Sequence, residues 1–203
     1  LRSYARNGSI AATTQTLIDD CINDDSYFDK ETFYKYLTAL EYLHVIEELP
    51  AWNPNVRSNT VIRTKDTRHF VDPSIAAAAL GLSPESLFRN METFGLLFES
   101  LVVRDIRTYC DVINAKVYKY RDSNKREADL VIVFNDGSWA LVEVKLGGKD
   151  DIDKAVNKLK DIADDIDTIK TGNCAFLMVV TKDSLAYRRD DGVYVVSLGW
   201  LKD

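Results

Sequence analysis

A predicted β-hairpin at residues 126–145 constrains the fold of this chain more than any other stretch. Residues 130–134 form an apolar first arm, residues 139–145 form the second arm, and Asn135-Asp136-Gly137 stands between them. An Asp-Gly pair between two apolar runs is among the strongest short-range signals for a hairpin. The sequence therefore predicts two neighbouring antiparallel strands in the C-terminal half.

The hairpin also predicts a cluster of charged side chains. Asp129 precedes the first arm, and Glu143 and Lys145 end the second. In an antiparallel pair the start of one arm lies beside the end of the other, and residues two apart on a strand point to the same face. We therefore expect Asp129, Glu143 and Lys145 to meet. Two carboxylates and an ammonium on one face suit a hydrolytic site that uses a divalent metal.

Composition narrows the class of protein. The net charge of −6 argues against a protein that coats DNA with a broad basic surface, but it leaves a local basic patch open. Cys21, Cys110 and Cys174 are far apart and distant from both histidines, which predicts reduced thiols in a cytoplasmic protein and disfavours a zinc site. No apolar run approaches the ~20 residues that span a bilayer, so we expect no membrane segment.

Residues 1–72 are predicted to form a small, helical, winged-helix-like domain. A helix at 9–22 precedes a second helix that begins after Asp29, a favourable N-cap residue. Short strands are predicted at 45–49, 60–63 and 69–71. The second helix carries few basic residues, so contacts with protein and contacts with DNA both remain open.

Residues 73–203 are predicted to form one α/β (α+β) domain. The expected order is a helix at 84–110, a strand at 117–121, the hairpin, a helix at 151–168, and strands at 175–180 and 192–196. Consecutive strands followed by a crossover helix indicate a mixed central sheet flanked by helices. Glu99 lies in the first of these helices. It is either a solvated helix acid or a carboxylate that points at the hairpin.

A basic stretch beside the hairpin is a candidate nucleic-acid surface. Its cations alternate with two tyrosines, a pattern typical of surfaces that bind phosphates and stack bases. Strand charges that simply face water are an equal alternative. Glu127 shares a face with Asp129, so it either supports the site or pairs with Arg126, Arg121 or Lys145; we favour the pairing. The candidate nucleic-acid-binding residues are Lys119, Arg121, Lys125 and Arg126.

The order of elements, with Glu99, Asp129 and a Glu143-x-Lys145 pair, resembles the PD-(D/E)XK nuclease superfamily. The resemblance implies a restriction-endonuclease-like fold and hydrolysis of DNA phosphodiester bonds with Mg²⁺ or Mn²⁺. Asp129, Glu143 and Glu99 would hold the metal, and Lys145 would orient or activate water. Ala128 departs from this pattern, because it stands where the motif has proline.

Segments across almost the whole chain resemble the C-terminal portion of a family of prokaryotic AAA-type ATPases, whose tail is an uncharacterised domain. The resembling segments are 36–41, 70–72, 96–99, 118–122, 126–129 and 143–145. The chain lacks a G-x-x-x-x-G-K-[ST] motif, so the resemblance implies that the ATPase domain lies upstream in the same polypeptide.

Two functions follow from these resemblances, and they belong to different classes. The first is a Mg²⁺-dependent endodeoxyribonuclease. The second is a catalytically inactive nuclease-fold module that binds DNA or a partner and regulates the ATPase. A third interpretation, which we rank below these two, is structural only: Glu143 and Lys145 form an ion pair at a strand end, and Asp129 caps a turn. The sequence leaves the oligomeric state open.

Overall fold

The computed structural model describes residues 1–8, 13–24, 28–54, 66–122, 124–183 and 185–201. The first of two compact units comprises the described residues of Leu1–Leu49 and Asp66–Leu101, and the second those of Pro50–Lys65 and Val102–Asp203. The strand predicted at 60–63 lies outside the described residues, as does the start of the helix predicted at 9–22. The domain boundary after residue 72 stays a prediction.

The first unit combines short helices with a two-stranded antiparallel sheet. Its apolar core comprises Tyr4, Leu17, Ile18, Phe33, Ile46, Phe70 and Ala76. The elements are α1 (Arg2–Arg6), α2 (Thr14–Asp24), α3 (Lys30–Tyr42), β1 (Ile46–Leu49), β2 (Thr67–Phe70), α4 (Pro73–Leu80) and α5 (Pro84–Arg89).

Cap residues set the helix ends in this unit. The Asp29 carboxylate accepts a hydrogen bond from the Thr32 N–H at 2.7 Å, which confirms the predicted start of α3. Gly81 adopts a left-handed conformation, with φ of 67°, and ends α4 as its position after the apolar run predicts. Ser83 forms a capping box with Ser86 at the start of α5.

The single helix predicted at 84–110 is wrong, because two helices occupy this stretch. α5 ends at Arg89, and α6 (Met91–Val112) begins after Asn90. Asn90 has φ of −126° and ψ of 79°, which interrupts the helix. Its side chain accepts a hydrogen bond from the Thr93 N–H at 3.1 Å and so starts α6. Apolar residues continue at helical spacing on both sides of Asn90, so their spacing alone did not predict this break.

The second unit contains a six-stranded mixed sheet, which confirms the predicted fold class. Its strand order is β3–β4–β5–β6–β8–β7. β3, β4 and β5 are antiparallel neighbours, β5, β6 and β8 run parallel, and β7 is antiparallel to β8. The strands are β3 (Lys116–Arg121), β4 (Glu127–Val133), β5 (Trp139–Lys145), β6 (Cys174–Thr181), β7 (Tyr187–Arg188) and β8 (Tyr194–Ser197).

Helix α7 (Lys149–Asp165) connects β5 to the parallel strand β6, with the short helix α8 (Thr168–Thr171) following it. One face of α7 carries Ile152, Val156 and Leu159, which are buried in the core against the sheet. α7 follows β5 directly in the chain and packs on the sheet. It therefore lies close to the strand that ends with Glu143 and Lys145.

The hairpin turn forms as predicted and is packed closely by the chain before β6. Gly137 has φ of 83°, and its N–H donates to the Phe134 carbonyl at 3.0 Å. The buried Trp139 donates its indole N–H to the Gly172 carbonyl at 2.8 Å. A Cβ atom added at Gly172 would lie 2.2 Å from the Gly137 carbonyl oxygen, so the site accepts only glycine.

Two further expectations concern the membrane and the cysteines. Among the described residues, no helix combines the length and apolar character needed to cross a bilayer. Cys21, Cys110 and Cys174 all lie in described parts of the chain, and none forms a disulfide, as their spacing predicts.

Candidate functional site

A β-bulge opens the sheet at the position of Asp129. Tyr118 on β3 pairs with Val131, whereas Tyr120 pairs with Ala128. Asp129 and the residue after it therefore stand opposite a single residue of β3. Bulges bend a strand and redirect side chains, and they are common beside functional sites.

Asp129 connects the start of β4 to the end of β5. Its carboxylate accepts a hydrogen bond from the backbone N–H of Val144 at 2.8 Å. The regular β4–β5 ladder reaches only to the Leu130–Val142 pair. The side chain thus bonds a backbone donor just beyond the end of this ladder. This contact holds Asp129 next to Glu143, as the hairpin predicts.

Glu143 is the most buried charged group of the site. Its side chain is only 1% exposed, and its Oε1 atom accepts a hydrogen bond from Lys145 at 2.7 Å. Lys158 of α7 donates to the same oxygen. The other oxygen, Oε2, is buried and has no hydrogen-bond partner among the described residues. Asp129, Glu143 and Lys145 are therefore brought together, with Lys158 as a fourth member.

The electrostatics of Glu143 reflect this mixture of burial and charge. Burial raises the pKa of the Glu143 carboxyl, and the nearby charge of Asp129 adds to the rise. Lys158 and Lys145 act in the opposite direction, because their ammonium groups favour the ionised carboxylate. The net pKa is raised. A cation at Oε2 would favour the ionised form further.

A row of polar residues ends three neighbouring parallel strands. Lys145 pairs with Thr181 across β5 and β6, and Thr181 pairs with Ser197 across β6 and β8. Thr181 is buried, and its hydroxyl has no hydrogen-bond partner among the described residues. Ligands of such sheets bind at the carboxyl ends of the strands. Sequence reasoning missed Thr181, although a threonine directly after the apolar strand was an available signal.

Glu99 belongs to the part of α6 that lies in the first unit, and it is half-buried. Its role as a third metal ligand stays a prediction. Within the described ranges, no three His, Cys, Asp or Glu side chains gather closely enough to hold a metal ion. Mg²⁺ commonly binds one or two carboxylates and completes its shell with water and substrate phosphate oxygens. Asp129 and the unpartnered oxygen of Glu143 fit that requirement.

The two arginines of the basic stretch beside the hairpin form ion pairs. Arg121 pairs with Glu127 at 3.1 Å, one of the partners expected for this glutamate. Arg126 pairs with Asp122 at 2.7 Å and with Asp165 at 2.5 Å. These acids offset the positive charge that a phosphate would meet. The role of this stretch in nucleic-acid binding stays a prediction for all four residues: Lys119, Arg121, Lys125 and Arg126.

Comparison with known families places the chain among domains without an assigned activity. No curated protein and no solved structure matches the chain. Residues 1–86 match a domain of unknown function (DUF8612). Residues 94–201, more than half of the chain, match a second domain of unknown function (DUF4143). DUF4143 domains are often found at the C-terminus of AAA ATPases, which indicates an accessory region of an ATPase-associated protein. The chain belongs to the DUF4143 family.

Proposed function

We propose that the hairpin site binds Mg²⁺ and hydrolyses phosphodiester bonds in DNA, as a nuclease-like region attached to an AAA-type ATPase. One observation carries this proposal. A buried carboxylate oxygen, Oε2 of Glu143, lacks a hydrogen-bond partner among the described residues, in a carboxylate whose other oxygen bonds Lys145 and whose pKa is affected by the charge of Asp129. Hard oxygen ligands of this kind suit Mg²⁺ or Mn²⁺.

Each side chain has a distinct part in this proposal. Asp129, fixed by the Val144 N–H, and Glu143 would hold the cation. The bound ion would lower the pKa of a water molecule and neutralise charge on the phosphate. The Lys145 side chain is one-third exposed, so a phosphate at the surface could approach it. It would orient the attacking water and offset negative charge on the reacting phosphoryl group.

DNA cleavage by the purified chain tests the proposal. With Mg²⁺ or Mn²⁺, the chain should nick plasmid, single-stranded or branched DNA. Asp129→Ala and Lys145→Ala should each reduce the rate by at least about a hundredfold. Lys154→Ala provides a control, because this exposed lysine of α7 pairs with a helix neighbour, Asp151, and not with the hairpin site. Equal cleavage by the wild type and both site variants would show that the activity comes from elsewhere.

The second candidate is an inactive module that regulates the ATPase through DNA or a partner. The ion pairs favour it, since Glu143 is held by two lysines and the adjacent arginines are neutralised by acids. This candidate predicts no cleavage of any DNA form and no heat of Mn²⁺ binding by calorimetry. Mn²⁺ binding that is lost in Asp129→Ala would argue against it.

A further inference from the structure

Two ammonium groups converge on a single oxygen of Glu143. Lys145 reaches Oε1 from two residues along β5, and Lys158 reaches the same atom from α7. Both ammonium groups therefore bond the same oxygen. Oε2, the oxygen proposed to bind the metal, is buried and has no donor among the described residues.

The formal charges of this cluster balance without any metal. Asp129 and Glu143 contribute two negative charges, and Lys145 and Lys158 contribute two positive charges. A buried carboxylate needs such compensation, because burial of an unpaired charge is costly. A divalent cation that enters this neutral cluster must approach two ammonium groups, and like charges repel strongly where water is scarce.

We propose that Lys158 is the internal counter-ion of Glu143 and that it sets the affinity of the site for divalent cations; this inference rests on the proposed cation site. Without metal, Lys158 stabilises the buried carboxylate. When a cation binds, the Lys158 ammonium moves towards solvent, which its one-third exposure and flexible stem allow. Lys158 is thus a positioning residue and not a metal ligand.

The packing of α7 makes this movement local. The backbone around Lys158 is fixed by the buried side chains of Val156, Leu159 and Ile162. Only the end of the lysine side chain has to move. Metal binding therefore needs no displacement of the helix, and the effect of Lys158 should be confined to charge at Glu143.

Four substitutions separate the effect of charge from that of structure. Lys158→Met keeps an unbranched apolar stem and removes the charge, whereas Lys158→Arg keeps the charge. Lys160→Met is a matched control on the same helix, because Lys160 is 35% exposed and pairs with a different acid, Asp191, at 2.8 Å. Lys158→Gln serves as a second charge-removing variant if Lys158→Met does not fold.

Two measurements on the 203-residue chain test this inference: Mn²⁺ titration calorimetry, and thermal unfolding without metal. For Lys158→Met we expect tighter Mn²⁺ binding and lower stability. Lys158→Met should lower the Mn²⁺ dissociation constant by about tenfold, within the range seen when groups that support metal ligands are altered. The same variant should unfold at a lower temperature without metal. Lys158→Arg should resemble the wild type in both measurements. Lys160→Met should leave the Mn²⁺ dissociation constant unchanged.

The outcomes distinguish this inference from the proposed nuclease activity. A Lys158→Met chain that is less stable and binds Mn²⁺ equally or more weakly would show a structural role only and overturn the inference. Tighter Mn²⁺ binding by Lys158→Met, in a chain that cuts no DNA, would support the inference and overturn the nuclease. Absence of Mn²⁺ binding in the wild type and in every variant would overturn both.

Discussion

Replacement of Gly172 by alanine should destabilise the unit that carries the site. Gly172 has φ of 90° and ψ of 172°, a region that residues with a Cβ atom avoid, and its strain costs about 1–3 kcal/mol. The new Cβ would also lie 2.2 Å from the Gly137 carbonyl oxygen and 3.0 Å from its carbon. Both atoms belong to backbone, so relief requires movement of the hairpin turn. We expect a total loss of about 3–5 kcal/mol, with overpacking supplying the remainder.

Gly137→Ala is the matched control for this prediction. Gly137 also has a positive φ, of 83°, but a Cβ added there meets nothing within 4 Å. Its cost should be the backbone strain alone, about 1–2 kcal/mol. Urea unfolding followed by tryptophan fluorescence compares the two variants, since Trp139 contacts the Gly172 carbonyl. If Gly172→Ala costs no more than Gly137→Ala, the close packing of the turn is refuted.

Three other predictions concern individual side chains. The raised pKa of Glu143 adds stability that is complete below its ordinary value of 4.5 and is lost as the pH rises through the folded-state value. Glu143→Gln should therefore remove this part of the fall of the urea midpoint as the pH rises above 4.5; an unchanged profile would contradict the assignment. Burial raises the pKa of Cys110 to about 11, so iodoacetamide at about pH 8 should label it roughly a hundredfold more slowly in the folded chain than in urea. Asn90→Ala should cost about 1 kcal/mol through loss of the cap on α6, and a neutral effect would refute that role.

The hairpin could be predicted because its signals are local. The turn residues and the two apolar arms lie within twenty residues of one another, and strand geometry alone brings Asp129 beside Glu143. The Val144 N–H to Asp129 contact follows from the same register. The bulge that opens β4 was not predictable, because it depends on how the neighbouring strand β3 pairs.

Lys158 was missed for a physical reason. The polar face of α7 is rich in Asp and Lys, and such a face is most simply solvated. Only the crossover from β5 to β6 shows that one lysine of this face lies over the end of β5. The contact joins residues 15 positions apart on different kinds of element. No periodic pattern in the sequence distinguishes Lys158 from Lys160, which pairs with Asp191 instead.

The energetics of Glu143 decide how this cluster is best interpreted. A structural ion pair gains most when both carboxylate oxygens are bonded, since a buried acceptor without a partner costs about 1–3 kcal/mol. Here Lys145 and Lys158 both bond Oε1, and among the described residues Oε2 has no donor. The proposed cation, bound at Oε2, would recover this cost. The proposed cation site gives Oε2 a partner, whereas a purely structural cluster leaves this buried oxygen without a donor among the described residues.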